Sequence, residues 1–256
     1  MCCFSRPVSH VGSTRIFARF LDAVNQCIVY EMKVFVSEEL AMILPIPVVQ
    51  PAGEDAVKFT DFTSYPSFFE DLAKAYPVPA ESSYSEDSRN GPFAASGKPL
   101  EVQKVGSFNA SFVPTIKDFS RLDAQFRLDD AVWNSLPQYK DFGFAVFKLR
   151  KGSDHLHPMA FRFPSRTPGK IFFPTVHIHD GKVHEMEDFD HRLYAQAWNT
   201  AVIKGPQWEE SEKNAGQFVN PMKSKDFVWG GGHLYKRDIV GQSKNEDIIA
   251  EARRLG

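Results

Sequence analysis

The sequence predicts an α+β protein, predominantly antiparallel β-sheet with a few peripheral helices. Three observations point there. Short runs alternate apolar and polar residues at period two along most of the chain, as half-buried strands do. Helical spacing is confined to a few stretches, too few to supply the crossover connections of a parallel sheet. Phenylalanine is abundant, 23 of 256 residues, in groups such as Phe142, Phe144 and Phe147 or Phe161 and Phe163 that suit sheet packing.

Taken in order, residues 14–20 (TRIFARF) and 27–36 (CIVYEMKVFV) read as strands. In the second, Ile28, Tyr30, Met32, Val34 and Val36 share one face. Residues 41–49 (AMILPIPVV) are apolar throughout, and Pro45 and Pro47 lack N–H groups on one side, which predicts an edge strand or an extended ribbon. After Ser64, the spacing of Tyr65, Phe68, Phe69, Leu72, Ala73 and Tyr76 predicts an amphipathic helix that Pro77 and Pro79 stop. The Pro-, Ser- and Gly-rich residues 77–99 predict a long exposed loop. Strands are expected again at 101–114, then short helical patches near 116–124 and 129–136. Strand-like runs follow at 143–150, 157–164, 170–179 and 182–187. Residues 190–201 are compatible with a helix. Gly230, Gly231 and Gly232 interrupt an aromatic stretch. Ser243 and Glu246 have the spacing of a capping box before Ile248, Ile249, Ala252 and Leu255, which predicts a terminal helix. The whole, 1–256, reads as a single domain.

The formal net charge is −2 with no long basic run, which argues against a nucleic-acid partner. No apolar stretch approaches the roughly 18 residues of a transmembrane helix, and the start MCCFSRPVSHVG has no signal-peptide core. A cytoplasmic location is therefore expected, with a small molecule or another protein as partner. Three cysteines, Cys2, Cys3 and Cys27, do not make a disulfide framework.

The blocks MCCFSRPV, LAMILPIPVV, VGSFNASFVPTIKDFSRLD and FFPTVHIHDGKVH resemble uncharacterised bacterial proteins that share them over most of the chain. That resemblance implies an intact bacterial-type domain and brings no activity, cofactor or catalytic residue with it.

The sharpest chemical signal is TVHIHDGKVH, residues 175–184. Asp180-Gly181 is a strong signal for a two-residue type I′ turn. That turn would set His177 opposite His184 on a β-hairpin, with opposed Cβ atoms about 4.5–5.5 Å apart, and His179 on the same face. Neutral imidazoles bind zinc, copper or iron well, so His177, His179 and His184 are the expected ligands of a divalent transition metal. His155, His157 and His191 are possible additional ligands. The plainer alternative is a polar hairpin whose wet face happens to carry histidine. A second candidate is Cys2: with Met1 removed, its thiol would be a nucleophile with its own amine as base, as in an amidohydrolase. Against that stands the usual fate of cysteine, which is to be buried and packed. Vicinal Cys2 and Cys3 would also suit a soft metal or an acyl chain. The acidic run Glu185, Glu187, Asp188, Asp190 reads as solvated, and Asp190 as a helix cap. A third reading is a non-catalytic binding protein whose Phe-rich sheet meets a partner. The glycine run lacks the Lys-Ser/Thr of a phosphate-binding loop.

Overall fold

The computed structural model describes residues 3–8, 11–77, 102–106, 108–152, 157–198 and 201–254. The 77–99 loop therefore lies, but for Pro77, outside the described residues.

The strands are β1 (Cys3–Phe4), β2 (Val11–Phe20), β3 (Asn25–Val34), β4 (Leu40–Ile46), β5 (Lys58–Asp61), β6 (Gln103–Val105), β7 (Phe108–Val113), β8 (Gly143–Leu149), β9 (Met159–Pro164), β10 (Lys170–Phe173), β11 (Met186–Gln196), β12 (Ala201–Ile203), β13 (Glu209–Glu210), β14 (Tyr235–Lys244) and β15 (Ile248–Arg254). Helices are short: α1 (Phe68–Ala73), α2 (Asp130–Asn134) and several single 3-10 turns. One sheet runs β1-β4-β8-β7-β6, a second β13-β14-β11-β2-β3-β9-β5, and a small third β10-β15-β12. Among the described strands the ladders are antiparallel except between β11 and β2, which run parallel. The β-rich, largely antiparallel architecture agrees with the sequence pattern.

Side-chain alternation explains the layers. Ile28, Tyr30, Met32 and Val34 of β3 do share a face. They join Ile16 and Ala18 of β2, Phe161 of β9, and Met42, Phe147 and Phe108 of the first sheet in a central core between the two large sheets. The outer face of the first sheet, with Ile43, Phe144 and Val146, is covered by Phe119, Phe126, Trp133 and Tyr139. The outer face of the second, with Phe17, Cys27 and Val29, is covered by Phe62, Phe68, Phe69 and Leu72 around α1 and by Phe227, Val228 and Leu234. Strand β3 is thus buried on both faces, which needs apolar residues in both phases.

Several elements differ from expectation. The described residues of 190–201 are not helical: Phe189, His191, Leu193 and Ala195 alternate inward along β11, while Asp188, Asp190 and Arg192 alternate outward. The terminal segment is β15 rather than a helix, because Ile248 to Ala250 complete a ladder with β10. Strand β4 has a neighbour on each side, but the two-residue β1 covers only Met42 and Ile43. Pro45 therefore falls on the uncovered part of that edge, as its missing N–H requires. Among the described residues no helix is long and apolar enough to cross a membrane.

Cys3 and Cys27 lie in clusters on opposite outer faces. Burial pushes the Cys27 thiol up to about 12, so little thiolate forms at neutral pH. Iodoacetamide at pH 8 is expected to leave Cys27 unmodified in the native protein and to alkylate it after denaturation, as read by peptide mass spectrometry. Rapid native labelling would contradict this packing.

Candidate functional site

The segment after β10 does not fold back on itself. Its backbone is claimed from both sides by other parts of the chain. On one side Phe4 N–H donates to Ile178 O at 3.0 Å and Val8 N–H to His179 O at 3.0 Å, and Cys3 forms a parallel bridge with Ile178. On the other, side chains of the 245–247 link stand in for a strand. The Asn245 amide accepts from His177 N–H at 2.7 Å and donates to His177 O at 3.0 Å and to His184 O at 2.9 Å. The Asp247 carboxylate accepts from Thr175 N–H at 2.9 Å, Val176 N–H at 3.2 Å and Tyr139 O–H at 2.6 Å. Buried backbone groups need such partners wherever no ladder supplies them.

These contacts overturn the expected hairpin. Gly181 has φ of 80°, and Asp180 Oδ1 accepts from Lys182 N–H at 3.0 Å, so a turn forms at Asp-Gly. No strand pair follows it, because the 175–179 backbone is already bonded elsewhere. Asn245→Ala is expected to lower stability by about 2–3 kcal/mol, since it orphans both backbone groups of a buried histidine. Denaturant titration checks this; a loss below about 0.5 kcal/mol would show that Asn245 does not position His177.

The register of β11 brings a different third histidine to the pair. His177 and His191 are 0% and 2% exposed, and their Nε2 atoms stand 3.4 Å apart. Their ring centroids are 5.0 Å apart with planes 21° from parallel, and His177 and His179 are similarly stacked at 5.2 Å and 23°. Phe189 lies 4.2 Å from the His177 ring and 5.0 Å from that of His191, and Phe4 lies 6.0 Å from His179. Thr14 is the β2 partner of His191 in the parallel ladder. The Thr14 hydroxyl, His177 Nδ1 and His179 Nε2 are enclosed without a hydrogen-bond partner among the described residues. Burial, reinforced by the neighbouring imidazoles, pushes His177 and His191 well below the usual histidine range. Burial also takes His179 to about 4. All three rings are therefore neutral at pH 7, the form that ligates metals. As placed, the stacked rings do not form a closed cage: among the described residues no group of three His, Cys, Asp or Glu side chains stands at metal-holding spacing.

The other sequence candidates lie apart from this cluster. The His184 side chain is 48% exposed and pairs with Asp180 at 3.1 Å, so it does not oppose His177. The His157 ring lies 4.4 Å from Phe108, with Nδ1 3.1 Å from Pro158 O. Cys2 and His155 lie outside the described residues. Asp190 caps no helix; it accepts from Ser13 N–H at 2.7 Å and holds the β2 bulge, where Ser13 has φ of 51°. Thr14, Asn245 and Asp247 were not expected at the site. The alternation in MEDFDHRLYA was the available signal that His191 points inward on a strand.

What fold and geometry define is a β-rich protein with two buried imidazoles, His177 and His191, and a third, His179, partly buried beside them. No family model matches the chain. Among solved structures, the crystal structure of baculovirus P35 is similar at 12% identity, covering 99% of this chain and 100% of that chain with a TM-score of 0.48. The caspase-8/P35 complex is similar at 11% identity, covering 94% of this chain and 96% of that chain with a TM-score of 0.47. At these identities and TM-scores neither likeness assigns this chain a fold or an activity.

Proposed function

We propose that this protein binds one divalent transition metal, zinc, copper or iron, through His177 and His191, with His179 as third ligand. The observation that supports this most is the 3.4 Å gap between the two facing Nε2 atoms. Two nitrogens held by one ion at about 2.0–2.1 Å, with a tetrahedral angle between them, stand about 3.3–3.4 Å apart. A shared proton would draw them to about 3.0 Å. His179 has to turn its ring out of the stack to bring its partnerless Nε2 to the ion. The near-complete burial of His177 and His191 favours an ion held for structure or electron transfer over hydrolysis, which needs a position open to substrate.

A second reading, a metal-free stack of hydrogen-bonded imidazoles, is favoured by the near-parallel rings. The amidohydrolase reading of Cys2 gains no support from the described residues, nor does a ligand role for His184.

Titration of chelator-treated, untagged protein with Zn²⁺, Cu²⁺ and Fe²⁺ separates the first two readings. One ion per chain is expected. His177→Ala and His191→Ala should each weaken binding more than about 100-fold, beyond the usual effect of groups behind the ligands. His184→Ala should leave it within about threefold. Stoichiometric uptake that survives both inner variants, or no uptake at all, would leave the metal-free stack.

A further inference from the structure

On the opposite face of β2 from Thr14 lies a cation with no counterion among the described residues. Arg19 is 8% exposed. Its Nε donates to Phe20 O at 3.1 Å and its Nη1 to Gln196 Oε1 at 2.9 Å. The Nη2 edge has no acceptor among the described residues. No described carboxylate comes within ion-pair reach: burial is the largest influence on the guanidinium and lowers its pKa, ahead of the opposing effects of Cys27 and then Asp226. A guanidinium nevertheless stays protonated, and an unpaired charge so enclosed is costly to keep out of water.

The surroundings of Arg19 are built rather than incidental. Gln196 Oε1 also accepts from Trp229 N–H at 2.8 Å, and its Nε2 donates to Trp229 O at 2.7 Å and Gly232 O at 3.2 Å. One amide thus fixes both the guanidinium and the Trp229–Gly232 loop. A Cβ at Gly232 would fall 2.7 Å from the Trp229 ring, and one at Gly231 3.1 Å. The indole therefore rests against glycine backbone, where a side chain at Gly232 would force a shift, and Trp229 remains 47% exposed. This gives the glycine run a purpose that its sequence did not disclose.

We propose that Arg19 is an oxyanion-binding site, taking the carboxylate or phosphate group of a small ligand on its Nη2 edge beside the Trp229–Gly232 loop. The planar guanidinium suits both groups through paired N–H donors. The ligand supplies a negative charge that no described residue places within ion-pair reach of Arg19.

The test is a titration of the intact protein with sodium phosphate and with sodium acetate, against sodium chloride at matched ionic strength. Thermal unfolding and tryptophan fluorescence are the readouts. One or both anions should raise the midpoint saturably, by about 2–5 °C at ten times the half-saturating concentration. The fluorescence change should disappear in Trp229→Phe. A response to phosphate alone identifies a phosphate site, and one to acetate a carboxylate site. Arg19→Gln should abolish the response. Cys27→Asp keeps the test open if Arg19→Gln does not fold: it sets a carboxylate directly across the ladder from Arg19 and should abolish the response likewise. No saturable effect of either anion beyond chloride, or a response undiminished in a folded variant, would overturn the proposal.

Discussion

Asp247→Ala is expected to destabilise the protein by about 3–5 kcal/mol. The substitution orphans three donors at once, Thr175 N–H, Val176 N–H and Tyr139 O–H. Thr175 and Tyr139 are fully buried and Val176 nearly so. Each orphaned buried donor costs roughly 1–3 kcal/mol. Asp247→Asn should behave differently, because its amide oxygen still accepts from the two backbone groups and the Tyr139 hydroxyl can turn to accept from its nitrogen. Burial, ahead of the opposing hydrogen bonds, raises the Asp247 carboxyl to about 6, above its unfolded value near 4. Its protonated form is thus the one the fold prefers. That contribution is fully present below about pH 4 and is lost as pH rises through about 6. Relative to Asp247→Asn, wild type should lose on the order of 2 kcal/mol across that window and change little above it, a figure reduced for the part of the residue that solvent reaches. Urea titrations of the three proteins between pH 4 and 7.5 read all of this. An alanine variant within 1 kcal/mol of wild type would mean that the 245–247 link does not hold the 175–178 segment.

Phe147→Ala is expected to cost a similar 3–5 kcal/mol for a different reason. Phe147 is 1% exposed and lies between the two large sheets, with ring centroids 5.5 Å from Phe59, 6.1 Å from Phe108 and 6.0 Å from Phe161. Ladder bonds hold the surrounding backbone, so the vacated volume does not collapse fully. Guanidinium titration should show a lower midpoint at unchanged slope. A loss near 1 kcal/mol would place the ring outside a close-packed core.

The alternation at period two in residues 28–34 and 159–163 was enough to read strands, because each such face packs on a neighbouring sheet and the pattern is local. Residues 190–196 and 248–254 form strands against their local pattern. Their helical features, an acid before an apolar run and a capping box, are weak preferences, and pairing with distant strands overrides them. The site follows this division. That histidines gather was legible in residues 175–191. Which of them meet was not, since it depends on Asn245 and Asp247 binding a segment about 70 residues earlier, and on β1 taking the other side. An Asp-Gly turn predicts a hairpin only where both flanking strands are free to pair, and here one flank is occupied.

The metal assignment is tested most directly by X-ray absorption at the metal edge of protein loaded with one equivalent of zinc. Imidazole nitrogens at about 2.0–2.1 Å, with the outer-shell scattering of intact rings, are expected in wild type and in His184→Ala, and should be lost in His177→Ala. A spectrum dominated by oxygen ligands, or one unchanged by His177→Ala, would contradict a metal held between His177 and His191.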